Sequence, residues 1–437
     1  MSFVEMRAKL AGIFVCMVLA VSAVAQEQPN AELVKRARAI LDEVPLIDGH
    51  NDIPWQYRQR VDNHLDQMDL SQDLTGLKPA LHTDIPRLRA GGMGGQFWSV
   101  YVPATMRGAE GIRMTLEQID MTRRIVARYP ETFELAFTAD DIERIHKNGK
   151  IASLMGMEGG HSMGNSLAAL RMLYEAGARY MTLTHSKHTD WADSCSELPR
   201  VNGLTPFGRE VVREMNRMGM MVDLAHVAPV TMHAALDVTE APIIFSHSSA
   251  RGVTDNVRNV PDDVLERVKE NDGVVMVTFL SGYISDRFSE YFDRYKDERE
   301  RLREKFTLQP DKIEAGLDKW REKNPAPENA RLSDVADHID HIRKVIGSDY
   351  IGLGGDYDGT TTLPDELKDV STYPVLLAEL MRRGYSEDEI KNIAGLNLLR
   401  VMREVEQVAA RLQPERPASD ALITELDGVD APEDSGR

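Results

Sequence analysis

Cysteine is nearly absent from this chain. Two cysteines in 437 residues cannot build a disulfide framework. Cys16 lies inside an N-terminal apolar stretch, so only Cys195 is left for the remainder, and a cysteine-built zinc site is excluded as well. Basic residues are also in deficit: 52 Lys and Arg stand against 70 Asp and Glu, a net charge of −18. Such a surface repels phosphate backbones, so nucleic acid is not an expected partner. No P-loop or His-Glu-x-x-His occurs, which removes the commonest nucleotide-binding and single-zinc protease signatures. The composition, 42% hydrophobic and 28% charged, is ample for a folded core of enzyme size.

Long hydrophobic runs are missing too, except at the N-terminus. There Arg7 and Lys9 precede an apolar run at residues 10–24, and Ala23-Val24-Ala25 offers small residues for cleavage before Gln26. At about 15 residues the run is shorter than the ~20 a membrane-spanning helix requires. Residues 1–25 therefore read as a signal peptide, and the mature protein is expected to be exported, periplasmic or secreted, without a stable membrane anchor.

Beyond the leader, short apolar runs alternate with amphipathic helical stretches. Eight runs stand at residues 45–50, 95–102, 151–158, 180–185, 220–226, 242–247, 273–279 and 350–356, several of them apolar almost throughout, as strands buried on both faces are. Helix-like segments at 166–176, 206–217, 261–270 and 335–345 lie between them. Eightfold alternation predicts an α/β fold of the (β/α)8 barrel type. A charge-dense stretch at 287–330, punctuated by Pro310, Pro325 and Pro327, separates the seventh and eighth runs and reads as one or two exposed helices inserted into the barrel. The barrel domain spans residues 26–413, and the tail at 414–437, rich in Pro, Asp, Glu and Gly, is expected to be disordered.

Catalytic groups of such barrels gather where the strands end, and here six runs end in polar residues. His50 and Asp52 stand two apart at one end, so extended geometry sends both side chains to the same side. Glu158, His226 and His247 end three more. Three imidazoles and two carboxylates suffice for two metal ions if one carboxylate bridges them, and such donors suit zinc and related metals. Glu158 is the natural bridge, because Gly159 and Gly160 after it let other groups approach. His161 and His188 read as hydrogen-bonding neighbours of the site, Cys195 as an unreactive thiol, and His338 and His341, at helical spacing, as a solvated helix face.

The runs His50-Asn51-Asp52-Ile53-Pro54-Trp55, Gly94-Gly95-Gln96-Phe97-Trp98-Ser99, Glu158-Gly159-Gly160-His161, Leu183-Thr184-His185-Ser186, Leu204-Thr205-Pro206-Phe207-Gly208, Asp223-Leu224-Ala225-His226, Phe245-Ser246-His247-Ser248-Ser249-Ala250, Arg258-Asn259-Val260-Pro261-Asp262-Asp263 and Gly354-Gly355-Asp356-Tyr357-Asp358-Gly359 closely resemble the membrane dipeptidase (renal dipeptidase) family. The resemblance implies a (β/α)8 barrel with two zinc ions, one on His50 and Asp52, the other on His226 and His247, with Glu158 bridging. It further implies His185 near the reacting carbonyl, Arg258 and Tyr283 on the substrate carboxylate, and Asp356 in proton transfer, with Asp358 as a competitor for that role. The implied substrate is a dipeptide, cleaved by a hydroxide held between the ions, with a D-residue tolerated at the C-terminal position.

Some features depart from mammalian members of that family. The acidic tail lacks the hydrophobic segment needed for a C-terminal lipid anchor, and the cysteines that would link a covalent dimer are missing, so a homodimer is left open only in non-covalent form. The wider amidohydrolase group commonly opens with His-x-His, where this chain has His50-x-Asp52. Two other readings keep the same ligands: a hydrolase of other amide or lactam bonds, including N-acylated amino acids, and a barrel that binds peptides or metal without turnover.

Overall fold

The structure, a computed structural model, describes residues 31–307 and 309–428. The expected signal peptide at 1–25 lies outside these, as do residues 429–437. Among the described residues nine parallel strands form: β1 (Leu46–Asn51), β2 (Met93–Ser99), β3 (Phe133–Leu135), β4 (Ile151–Met157), β5 (Ala178–Thr182), β6 (Met221–Asp223), β7 (Ile244–Phe245), β8 (Val274–Val277) and β9 (Ile351–Leu353). Their hydrogen-bonded order is β2-β1-β9-β8-β7-β6-β5-β4-β3, and a second ladder from β2 to β4 closes the ring. Eight strands therefore make a closed (β/α)8 barrel, with β3 as an addition. β3 borders residues 151–153 of β4 on the edge away from β2, the edge that β5 takes over from Met155 onward.

The burial of the strands explains both what the sequence showed and what it hid. β1, β2 and β4 are buried at every position, covered by helices outside and by the filled interior within, and β4 accordingly reads as a nearly continuous apolar run. β3 is only Phe-Glu-Leu, too short for a pattern to register. Several expected runs also overshoot their strands. β5 stops at Thr182 and β7 at Phe245, so His185 and His247 sit on the loops that follow.

Local chemistry sets the helix ends. Ser166 accepts from the Ala169 amide (3.2 Å) at the head of helix Leu167–Ala176. Thr205 accepts from Gly208 (3.1 Å) at the head of helix Pro206–Met218, which ends at left-handed Gly219. Helix Asn397–Glu415 packs Leu398, Val401 and Val405 into one apolar cluster with Ile47, Leu154, Met221 and Val274. That packing fills the lower barrel, and the strand C-terminal ends are left for polar groups.

After β8 the chain makes two charged helices, Asp286–Lys305 and Pro310–Lys323, joined by packing of Tyr291 on Trp320 (5.4 Å between ring centres). Among the described residues no helix is long and apolar enough to cross a membrane.

Two expectations need correction. Residues 414–428 are not a disordered tail: helix Asn397–Glu415 runs through Pro414, and Ile423 of helix Ile423–Leu426 is buried. Asp427 accepts from the Phe207 amide (3.0 Å) and the Thr205 hydroxyl (2.6 Å). One apolar anchor and one capping carboxylate seat this segment, and its average composition conceals both. His338 is not on a solvated face either. It shares the inward stripe of helix Leu332–Ile346 with Val335, Ile339 and Ile342, its Nδ1 accepts from the Ala250 amide (3.0 Å), and burial lowers its pKa to about 4. His341, one turn on, pairs with Asp262 (2.8 Å).

Candidate metal centre

Glu158 follows β4 at the middle of the barrel mouth. Its Oε1 lies 3.1 Å from Nε2 of His226, 3.5 Å from Nε2 of His50 and of His185, and 3.6 Å from Nε2 of His247. Asp52 adds a carboxylate oxygen 3.3 Å from His50 Nε2. Three sets of side chains each converge closely enough to hold an ion: His50, Glu158 and His247; Glu158, His185 and His226; and His50, Asp52 and Asp356. Gly159 has φ 121°, and a Cβ there would come within 2.5 Å of the His161 ring and 3.2 Å of His185. The missing side chain is what lets these imidazoles close around Glu158.

The groups beneath the imidazoles fix which nitrogen faces the centre. The Tyr180 hydroxyl donates its one proton to the Gly49 carbonyl (3.1 Å), so its contact with His50 Nδ1 (2.9 Å) is satisfied only if Nδ1 donates. In the neutral ring His50 Nε2 is then the nitrogen with the lone pair, fully buried and without a hydrogen-bond partner. Ser246 donates to Asp223 (2.7 Å), so it accepts from His247 Nδ1 (2.8 Å), and His247 Nε2 is bare by the same reasoning. Thr182 gives Asp223 a further donor. Buried lone pairs aimed at a common point, backed by hydrogen-bonded carboxylates and hydroxyls, are what a metal ligand set requires.

The electrostatics agree with that fit. Burial pushes His226 and His247 well below the usual imidazole range, and Arg258 and the neighbouring imidazoles add to this, so both are neutral. Burial works against a charge on His50, but Tyr180, Glu158 and Asp52 outweigh it and hold its pKa well up, so a cation at its Nε2, proton or metal ion, is favoured. Burial also opposes ionisation of Glu158, yet the surrounding imidazoles keep it well below the carboxylate range. Asp356 is pushed up to about 8 by burial and by the carboxylates of Asp52 and Glu158. The centre therefore draws positive charge.

Residues 34–416 match the membrane dipeptidase family, peptidase family M19. The chain belongs to that family. It is similar to Dipeptidase 3 of Rattus norvegicus, with 42% identity over 393 residues, 89% of this chain and 70% of the relative. It is likewise similar to Dipeptidase 3 of Mus musculus, at 41% over the same shares. Among solved structures, the probable dipeptidase PvdM from Pseudomonas aeruginosa shares the fold with a TM-score of 0.73 at 22% identity, covering 86% of this chain and 99% of that one. A metallopeptidase from Rhodobacter sphaeroides, liganded with a phosphinate mimic of L-Ala-D-Ala, has a TM-score of 0.67 at 23% identity, over 83% and 99%. As a membrane dipeptidase family metallopeptidase, this chain is a metal-dependent hydrolase.

In this family member the structure brings every candidate site residue to one cavity of about 850 Å³. Asp52, Glu158, His185, His226, His247, Arg258, Tyr283 and Asp356 line it, and His50 lies just beneath. Arg258 is buried, its guanidinium donating to Ser248 Oγ (3.3 Å) and the His247 carbonyl (3.2 Å) and lying 5.1 Å over the Tyr283 ring. His185 is more exposed than the other imidazoles, with 16% of its side chain open against 0% for His50 and 1% for His247. His226 and Asp356 hold left-handed backbone, φ 64° and 59°, a conformation that non-glycine residues keep only where the surroundings enforce it. Asp358 is not equivalent to Asp356, since its Oδ1 accepts from the His82 amide (2.8 Å) and so ties two loops together. His161 Nε2 donates to the Val102 carbonyl (3.1 Å), and His188 Nδ1 accepts from the Ser194 amide (2.9 Å). Burial raises the pKa of Cys195, which leaves it a protonated thiol.

Sequence reasoning missed the supporting layer: Asp48, Tyr180, Asp223, Ser246 and Tyr373. Asp48 accepts from the His50 amide (2.9 Å), the Gly355 amide (3.2 Å) and the Tyr373 hydroxyl, which clamps the end of β1 to that of β9. Asp223 accepts from Ala225 (3.0 Å) and Ser246 (2.9 Å) and does the same between β6 and β7. A signal existed, since each acid stands two or three residues before a ligand histidine. No comparable pattern marks Tyr180, which reaches His50 from across the barrel.

Proposed function

We propose that the chain is a zinc-dependent dipeptidase that hydrolyses the single peptide bond of a dipeptide and accepts a D-residue at the C-terminal position. One observation carries this reading: four imidazole nitrogens approach a single oxygen of Glu158, as befits a carboxylate shared between two ions. His50 and Asp52 would hold one zinc, His226 and His247 the other, and Glu158 both. When bound, the ions supply Lewis acidity and a water acidic enough to ionise near neutral pH.

The chain's own residues do the rest. Arg258 offers the C-terminal carboxylate a planar fork, and Tyr283 packs on its face. A carboxylate fixed there, one residue beyond the scissile bond, excludes longer peptides. His185 Nε2 faces the centre and donates to the carbonyl oxygen as negative charge develops on it. Asp356, whose carboxyl takes a proton readily, carries it to the leaving amine. Tolerance of a D-residue is supported by the fold shared with the metallopeptidase that holds the L-Ala-D-Ala mimic. We further infer export from the leader at residues 1–25, which N-terminal sequencing of the cell-free fraction tests.

Glu158→Gln tests the centre. It keeps the side-chain shape but removes the charge, so a folded variant is expected to bind less zinc than the two ions of the parent and to lose turnover by orders of magnitude. Parent-like zinc content and dipeptide hydrolysis in that variant would refute the reading.

A further inference from the structure

The cavity around the centre continues past it on one side. Arg258, Leu280 and Tyr283 follow β7 and β8, whereas Gln56, Arg60, Lys78 and His82 lie in the connection between β1 and β2. Around the ring, β8 and β9 separate β7 from β1 on one side and β6, β5, β4 and β2 on the other, so Arg258 and the β1–β2 connection approach the ligand cluster from different sides. A dipeptide whose carboxylate sits on Arg258 and whose peptide bond lies over Glu158 directs its N-terminal residue toward the β1–β2 side.

The far end of that path is cationic, carrying Arg60 and Lys78. Arg60 is held in place, its Nε donating to Gln56 Oε1 (2.6 Å) and its NH1 to the Pro79 carbonyl (2.9 Å). Lys78 is exposed at the cavity mouth. Asp358, which lines the same cavity, is engaged by the His82 amide, and burial lowers the pKa of His82 so that it stays neutral. The substrate amine is repelled by the cationic end, which leaves that end to a side chain.

We propose that Arg60 and Lys78 form a subsite for an anionic side chain on the N-terminal residue, so that the preferred dipeptides begin with Glu or Asp. This rests on the dipeptidase reading above and adds a substrate class to it. Two cations lining one end of a cavity favour a carboxylate over the isosteric amide by about tenfold in a partly exposed setting.

The test compares kcat/KM for L-Glu-L-Ala, L-Gln-L-Ala and L-Lys-L-Ala on the zinc-loaded enzyme. The Glu-to-Gln ratio is expected at about tenfold and to shrink as salt rises. Lys78→Glu and Arg60→Glu should each lower the ratio, and the double variant should favour L-Lys-L-Ala. Arg60 also bonds Gln56 and Pro79, so Lys78→Glu carries the test if the Arg60 variant fails to fold. A parent ratio near one, or a ratio unchanged in Lys78→Glu, overturns the subsite while L-Gln-L-Ala hydrolysis leaves the dipeptidase reading standing. A zinc-loaded enzyme that cleaves none of the three overturns both.

Discussion

Replacing Tyr180 by Phe removes one oxygen from a fully buried ring and tests whether the layer beneath the ligands governs metal binding. The lost hydroxyl served two partners, His50 Nδ1 at 2.9 Å and the Gly49 carbonyl at 3.1 Å. Each is left buried without a partner, at about 1–3 kcal/mol apiece before relaxation. For the metal, the loss of an imidazole's orienting partner typically weakens affinity about 10–100-fold, or about 1.4–2.7 kcal/mol. Competition against a chromophoric chelator resolves the two zinc-binding steps. Only the step built on His50 and Asp52 should weaken by that amount. The step built on His226 and His247, whose support runs through Ser246 and Asp223, should hold. Excess zinc should restore most of kcat. Lowered thermal stability with both zinc affinities unchanged would refute the reasoning and reduce Tyr180 to a packing residue.

Gly156→Ala should have a related effect, because a methyl there would intrude into the Tyr180 ring. The same zinc step should weaken, and the double variant with Tyr180→Phe should fall short of the sum of the two effects; full additivity would separate the two residues. Arg258→Lys keeps the charge but loses the fork, so kcat/KM for dipeptides should fall about 10–100-fold, mainly through KM. Dipeptide amides, which lack the carboxylate, should be affected far less, and an equal loss on both would contradict a carboxylate contact. His338 gives a pH dependence. Its folded pKa of about 4 lies below the ordinary value near 6.5, so its contribution is complete above about pH 6.5 and is lost as pH falls toward 4, a swing of about 3 kcal/mol. His338→Asn keeps an acceptor for the Ala250 amide without titrating. Urea unfolding should therefore show the variant gaining on the parent between pH 7 and pH 4, and a constant difference would exclude the buried neutral imidazole.

The parts of this molecule that were legible in sequence share a physical cause. Parallel strands covered on both faces leave unbroken apolar runs, and a metal centre at their ends interrupts those runs with His, Asp and Glu, so residues such as Glu158 and His247 stand out against Val, Ile and Met. β3 escaped because three residues carry no periodicity. Residues 414–428 were misjudged because a lone buried Ile423 and the cap made by Asp427 do not alter an acidic average. His338 was misjudged because a polar residue on an inward stripe looks like a surface residue until its partner, an amide 88 positions away, is known. Tyr180 illustrates the general limit: its bond to His50 joins residues 130 apart, and only the closed barrel brings them together.

The central claim, a two-zinc centre that cleaves dipeptides, is tested most directly by hydrolysis before and after metal removal. The purified chain is stripped with chelator, reloaded with measured zinc, and assayed on L-Ala-L-Ala, L-Ala-D-Ala, N-acetyl-L-Ala-L-Ala and tri-L-Ala. Activity should vanish on stripping, return in full only as zinc approaches two ions per chain, and be confined to the two free dipeptides. Activity that survives metal removal, or that is as fast on the acetylated peptide or the tripeptide, would contradict the account.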